Sequence, residues 1–134
     1  MNIEGKRTTI QASPQKLFDF LSDFNHYEQL MPEQIVNWKS EKDTCSFTVK
    51  GMADLSLKFG KKQAPELLEL VPDGKSPVQF TLTVKLEPDT LNEQNAVVQA
   101  NVDADLNPML AMFARKPLEN LANTITEELK KVFP

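Results

Sequence analysis

The residue types that could carry out catalysis are scarce in this sequence. It contains a single histidine, His26, and a single cysteine, Cys45. A catalytic cysteine needs a neighbouring cation or base, and His26 could supply one only if the fold brought it close. One histidine cannot form the two-histidine, one-carboxylate site of mononuclear iron, and a cysteine–histidine zinc site lacks ligands as well. We therefore predict no catalytic residue, no metal site and no cofactor.

The remaining polar candidates have plainer interpretations. We expect Cys45 to be a small buried hydrophobic residue. We expect His26 to be a surface or capping residue, and the alternative is that it shuttles a proton or contacts a ligand at a cavity mouth. Asp54, Asp103 and Asp105 alternate with apolar residues, so we expect them to face outward from a sheet. A register shift of one residue would reverse every one of these orientations.

The composition is that of an ordinary cytoplasmic domain. The chain has 134 residues, of which 40% are hydrophobic and 25% charged, and a net charge of −4. This charge argues against nucleic-acid binding, which usually requires a basic face. We see no signal peptide, no apolar stretch near the ~20 residues of a membrane span, and no second cysteine for a disulfide. We expect one domain over residues 1–134.

Hydrophobic and polar residues alternate along the central sequence. This two-residue period is typical of an antiparallel sheet with one buried and one solvated face. Turn residues such as Gly51 and Pro72-Asp73-Gly74 separate the segments. The predicted strands are residues 2–11, 33–39, 44–50, 53–59, 66–71, 78–86 and 98–106.

Helical spacing appears in three places. Ser13 and Pro14 are typical of an N-cap and a first helical residue, and they predict a short helix over 14–22. A second short helix is predicted over 25–31, ended by Pro32. Asn107 and Pro108 begin a long amphipathic helix that reaches Val132, with a bend expected at Pro117.

This order of elements resembles the helix-grip superfamily, also called START-like or SRPBCC. The most specific match is the run Ala12-Ser13-Pro14-Gln15-Lys16-Leu17-Phe18-Asp19-Phe20-Leu21-Ser22-Asp23-Phe24, followed by His26-Tyr27 and Met31-Pro32. It is similar to the strand-to-helix segment of small SRPBCC proteins with polyketide-cyclase-like and lipid-transfer-like relatives. The resemblance implies an α+β fold in which a curved antiparallel sheet of about seven strands wraps a long C-terminal helix, with two short helices after strand 1.

The resemblance leaves the function open, because one fold serves many functions. Members commonly bind lipids, sterols, polyketides or quinones between sheet and helix, some are cyclases or aromatases, and some are co-chaperones. We predict binding of a small hydrophobic molecule, either a lipid, a quinone or a polyketide-like compound. The alternatives are a protein-interaction module with a filled core and, third, a cyclase- or aromatase-type enzyme. An apolar cavity of ~300–1,000 Å³ would favour binding, and a filled core the interaction module.

The predicted ligand-binding surface is apolar throughout. Methionines on the long helix adapt to irregular shapes, and small residues (Ala100, Ala104, Ala111 and Ala114) could leave room. Arg115 and Lys116 could meet an anionic head group or simply be solvated. Trp38, Met52 and Leu91 are expected to be exposed. The predicted lining residues are Phe47, Val49, Leu57, Phe59, Phe80, Leu82, Val84, Ala100, Val102, Met109, Met112 and Phe113.

Overall fold

The computed structural model describes all 134 residues and confirms the predicted α+β helix-grip fold. Two 3₁₀ segments, Phe24–His26 and Glu28–Leu30, lie between the first helix and the third strand. The helices are α1 (Pro14–Leu21) and α2 (Pro108–Val132). The strands are β1 (Asn2–Glu4), β2 (Thr8–Ile10), β3 (Ile35–Ser40), β4 (Thr44–Val49), β5 (Ala53–Gln63), β6 (Leu67–Pro72), β7 (Gln79–Pro88) and β8 (Ala96–Asp105).

The strands form one antiparallel sheet in the order β1-β8-β7-β6-β5-β4-β3, and β2 also pairs with β8. The predicted first strand is therefore split in two at Gly5. The Gly5 N–H donates to the carbonyl of Ala100 at 2.9 Å, and a side chain at Gly5 would collide with that carbonyl. Together β1 and β2 form one interrupted edge strand, which gives the sheet seven strand positions.

The first helix begins as its sequence predicts. The Ser13 hydroxyl accepts a hydrogen bond from the backbone N–H of Lys16 at 3.2 Å, and Pro14 occupies the first turn. This cap satisfies one of the N–H groups that have no partner inside the helix.

The predicted second helix over 25–31 is wrong in type, because two 3₁₀ segments take its place. The Asp23 carboxylate accepts from the Asn25 N–H at 2.9 Å and starts the first of them. The buried Tyr27 hydroxyl donates to the carbonyl of Leu21 at 2.7 Å. These local bonds hold the chain in short, tight turns rather than a continuous α-helix.

One hydrophobic core lies between the sheet and the helices. The inward residues of β7 and β8 are buried in strict alternation, since paired strands keep one set of side chains on each face. Asp54, Asp103 and Asp105 are exposed on the other face, as their register predicts. The buried side chains of these two strands are Phe80, Leu82, Val84, Leu86, Ala96, Val98, Ala100, Val102 and Ala104.

Helix α2 packs its apolar stripe on this core. The Asn107 side chain accepts from the Leu110 N–H at 2.9 Å and caps its start, and Pro117 lies inside it without ending it. The buried residues of α2 are Ala114, Leu118, Leu121, Ala122, Ile125, Thr126 and Leu129.

No helix of the structure has the length and apolar composition that crossing a bilayer requires.

The prediction that Met109, Met112 and Phe113 face the sheet is wrong. Their side chains are 71%, 82% and 73% exposed. Each residue of an α-helix turns the side chain by about 100°, so the inward face set by Ala114 and Leu118 leaves these three on the opposite side. The first turns of α2 therefore face the protein with small side chains and face the solvent with large apolar ones.

Candidate functional site

The space between sheet and helix is divided into two small apolar crevices. The Pro117 crevice has a volume of about 20 Å³ and lies beside Pro117 of α2. Its lining residues are Ile35, Phe47, Val49, Met52, Ala53, Leu55, Val78, Phe80, Pro117, Leu118 and Leu121. The Trp38 crevice has a volume of about 10 Å³. Its lining residues are Phe24, Tyr27, Met31, Trp38, Phe47, Leu57, Leu70, Phe80, Leu82 and Leu121.

The side chains of Phe47, Phe80 and Leu121 line both crevices. These three residues therefore form the wall between them. All three are buried, and the Phe47 ring stacks on the indole of Trp38 with centroids 5.4 Å apart.

An irregularity in β3 brings Trp38 into this interior. Ile35 and Trp38 are three positions apart, so a regular strand would place them on opposite faces. The pairing of β3 with β4 shifts between Val36 and Lys39, and Asn37 between them has φ 57°. Such a bulge turns both side chains inward. The prediction that Trp38 is an exposed apolar residue is therefore wrong.

Trp38 carries the one buried side-chain nitrogen or oxygen that lacks a hydrogen-bond partner. Its indole Nε1 is buried and has no hydrogen-bond partner. Buried donors are paired in the great majority of folded structures, because an unpaired one loses its bond to water. The Trp38 side chain lines an otherwise apolar crevice, so its N–H is an unpaired donor buried close to apolar space.

The buried ionisable side chains of the interior are held in their neutral forms. Burial raises the pKa of the Cys45 thiol to about 12, against a smaller lowering by a backbone hydrogen bond at Leu57. Burial also raises the pKa of Tyr27, and the nearby Cys45 adds to that rise. A thiol nucleophile acts as the thiolate, so Cys45 is not arranged as one.

His26 lies outside both crevices. Its ring stacks on Phe20 with centroids 4.3 Å apart, and Nδ1 donates to the Phe20 carbonyl at 2.6 Å. It lines neither crevice, although its neighbours Phe24 and Tyr27 line the Trp38 crevice. His26 instead links the first 3₁₀ segment to α1.

The predicted lining residues fall into three groups. Phe47, Val49, Leu57, Phe80 and Leu82 line a crevice. Val84, Ala100 and Val102 are buried in the core, and Phe59 is partly buried and stacks on Phe24, but these four line neither crevice. Met109, Met112 and Phe113 lie on the solvent side of α2.

Sequence reasoning missed several lining residues. Leu121 belongs to the helical stripe and could have been included on its spacing. Trp38 and Tyr27 could not, because a bulge and a 3₁₀ turn decide their directions.

Larger depressions lie on the outside of the molecule. The largest, about 870 Å³, is an open groove between β2 and the end of α2, lined mainly by polar and charged residues. Two others, on the outer face of the sheet, are also lined mainly by polar residues. Enclosure and an apolar lining are typical of ligand sites, so the interior crevices are the better candidate despite their size.

Solved structures of other proteins have a fold similar to that of this chain. A START superfamily protein from Mycobacterium smegmatis superposes with a TM-score of 0.69 over 98% of both chains, at 14% sequence identity. The fold is START-like. The KanY protein superposes with a TM-score of 0.74 at 11% identity, over 99% of this chain and 97% of its own.

A third similar structure is the Aha1 dimer from Colwellia psychrerythraea. It superposes with a TM-score of 0.61 at 19% identity, over 99% of this chain and 96% of its own. No family model and no curated protein sequence matches the chain. The similarity to START-like proteins is therefore one of fold.

Proposed function

We propose that this protein binds a small apolar molecule carrying a hydrogen-bond acceptor, in a cavity made by joining the Pro117 and Trp38 crevices. The unpartnered, buried Nε1–H of Trp38 in an otherwise apolar lining carries this proposal. A carbonyl or ether oxygen of a quinone, lipid or polyketide-like compound would accept that hydrogen bond. Such a site has the usual design of a ligand pocket, apolar walls with a few placed polar groups.

The ligand must displace side chains to enter. The two crevices together hold about 30 Å³, whereas ligand pockets are typically ~300–1,000 Å³. The wall of Phe47, Phe80 and Leu121 is made of side chains that can change rotamer. The adjacent first turns of α2 contact the sheet through small side chains, Ala111 and Ala114, so little apolar burial opposes their outward movement.

The test uses Trp38, the only tryptophan of the chain, as the reporter. Its indole gives a single ¹H–¹⁵N signal. The probe is menadione, a compact apolar quinone with two carbonyl acceptors. We expect saturable titration, with the indole proton moving downfield as the new hydrogen bond forms. Native mass spectrometry of protein purified from cells, followed by organic extraction, would identify a ligand carried from the cell.

Trp38→Phe is the control variant, because it keeps an aromatic ring and removes the donor together with part of the indole ring. By calorimetry it should bind menadione about 5- to 10-fold more weakly, the usual value of one neutral hydrogen bond. If the indole signal of the wild type does not move with menadione, palmitate or a cellular extract, ligand binding is wrong.

The second candidate is the protein-interaction module, and the closed interior favours it. A filled core gives a ligand no space, whereas the exposed apolar side chains at the start of α2 could contact another macromolecule. An apo mass in native spectra together with a silent Trp38 signal would support this function. The third candidate, a cyclase or aromatase, lacks a general acid or base among the crevice residues, since burial keeps Tyr27 protonated.

A further inference from the structure

The two interior crevices differ in the chemistry of their walls. Beyond the shared phenylalanines, no aromatic side chain lines the Pro117 crevice, and its other residues are apolar side chains such as Val49, Ala53 and Leu118. The Trp38 crevice has three rings of its own, Phe24, Tyr27 and Trp38, which include the only tyrosine and the only tryptophan of the chain. Half of its ten lining residues are aromatic, against 7% of the whole chain, so aromatic contact is concentrated on one side of the shared wall.

The rings of the Trp38 crevice meet one another through their faces. The indole of Trp38 lies at 10° to the ring of Phe47. The ring of Phe24 lies at 45° to that of Tyr27, with centroids 5.1 Å apart. Aromatic pairs in offset-stacked or tilted contact gain about 2- to 10-fold in affinity beyond the area they bury. A flat conjugated ring placed among these side chains keeps that gain, whereas an alkyl chain does not.

Neither crevice offers a partner for a charged group. No lysine, arginine, aspartate or glutamate lines either of them. The Tyr27 hydroxyl already donates its proton to the Leu21 carbonyl at 2.7 Å, and burial raises the pKa of Tyr27, so it stays neutral. An ionised carboxylate or ammonium would be buried there without compensation, which is strongly unfavourable. The polar group of a ligand beside Trp38 must therefore be neutral, as a carbonyl is.

We propose that the ligand is a ring-and-tail molecule, whose neutral, flat, conjugated ring carbonyl lies against Trp38 and whose saturated tail lies in the Pro117 crevice. This inference rests on the proposed function, in which the two crevices open into one cavity. A flexible tail needs only apolar walls, and the Pro117 crevice supplies them. The reverse orientation would leave the aromatic side chains around an alkyl chain and the Trp38 N–H without an acceptor.

The experiment is calorimetric titration of the full chain with 1,4-naphthoquinones that carry a methyl, a propyl or a hexyl group at position 2, the first of which is menadione. Burial of one methylene gains about fourfold in affinity. The propyl compound should therefore bind about 15-fold more tightly than menadione. The saturated 2-methyldecalin-1,4-dione keeps the two carbonyls and the ring skeleton but is not flat, and it should bind at least fivefold more weakly than menadione.

A variant of the Pro117 crevice tests where the tail lies. Ala53 lines the Pro117 crevice and not the Trp38 crevice. Ala53→Leu narrows the space for the tail, so the 15-fold ratio between the propyl compound and menadione should fall below about threefold. Ala64→Leu is the matched control, because it makes the same substitution at an exposed residue that lines neither crevice. It should keep the wild-type ratio.

Nuclear Overhauser effects in the wild-type complex give the orientation without any variant. The Trp38 indole proton should show contacts to the ring protons of the propyl compound. The methyl groups of Val49 and Leu118, which line only the Pro117 crevice, should show contacts to the end of its tail. Contacts between the tail and the indole proton would overturn the proposed orientation.

Failure of this inference is distinguishable from failure of the proposed function. If no compound of the series binds and the Trp38 signal stays silent, the proposed function is wrong and this inference falls with it. If menadione binds but a longer tail adds no affinity, the ligand has no tail site and the ring-and-tail inference alone is wrong. The same conclusion follows if the saturated dione binds as tightly as menadione, or if palmitate binds more tightly than the propyl compound.

Discussion

Replacing Phe80 by alanine should convert the two crevices into one cavity and allow a small apolar probe to bind. Phe80 is 5% exposed and lines both crevices, of about 20 and 10 Å³. Removing its ring joins them and adds the volume of the ring itself. An engineered apolar cavity of ~150 Å³ is large enough to bind benzene.

The cost to the folded state follows from the burial of the ring. A buried phenylalanine replaced by alanine costs about 3–5 kcal/mol, from lost transfer energy and from the cavity left behind. The entropy of unfolding is about 2.1 cal/mol/K per residue, or about 0.28 kcal/mol/K for a chain of this length, so each kcal/mol lowers Tm by about 3.5 °C. We expect Phe80→Ala to lower Tm by about 10–18 °C. At a benzene concentration tenfold above its Kd, binding should restore about 1.4 kcal/mol, or about 5 °C.

The assay is thermal unfolding of wild type and variant with and without benzene. Phe18→Ala is the control, since Phe18 is a buried phenylalanine of α1 that lines neither crevice. It should be destabilised comparably and stabilised less by benzene. If Phe80→Ala lies within about 1 kcal/mol of the wild type, or if benzene stabilises it no more than the wild type, then Phe80 is not the wall between two crevices.

Three further changes test other parts of the structure. Burial raises the pKa of the Cys45 thiol to about 12, from 9.0 in the unfolded chain. The stability that depends on the neutral thiol is therefore complete below pH 9 and is lost as the pH rises towards 12. Urea unfolding across that range should show a shallower decline for Cys45→Ala than for the wild type, and equal slopes would contradict the burial of the thiol. Tyr27→Phe removes the hydrogen bond to the Leu21 carbonyl. Because that buried acceptor loses its partner, the free energy of unfolding measured in urea should fall by about 1–3 kcal/mol. An unchanged free energy would mean that water replaces the hydroxyl. Gly5→Ala places a methyl group against the Ala100 carbonyl and should lower the free energy of unfolding by more than about 2 kcal/mol. Gly51 has open space around it but a φ of 77°, so Gly51→Ala should lower it by about 1 kcal/mol. The reverse order would argue against the split edge strand.

Much of the sheet could be predicted from local pattern. Strands over 44–50, 53–59, 66–71, 78–86 and 98–106 were predicted, and the structure has β4 to β8 at these places with ends that differ by a few residues. Alternation in these segments is strict, so one face is specified without knowledge of the partner strand. The capped starts of α1 and α2 were equally readable, because Ser13-Pro14 and Asn107-Pro108 act on the adjacent backbone alone.

The interruption of the first strand was not readable from the sequence. Gly5 approaches the backbone of Ala100, a residue 95 positions away along the chain, and a local pattern carries no information on such an approach. The type of the second helix was missed for a related reason. The bond from Tyr27 to Leu21 and the burial of Tyr27 favour 3₁₀ turns over the α-helix that its spacing predicts.

The sequence by itself determined the fold class, the inward register of the central strands and the apolar character of the interior. It also determined that the first turns of α2 carry large hydrophobic side chains, but not which way they point. That direction was decided by close packing, because the inward side of α2 at this end is set by Ala111, Ala114 and Leu118. Likewise only the bulge at Asn37 turns Trp38 inward. Both features depend on how the elements pair and pack, which a local sequence pattern does not specify.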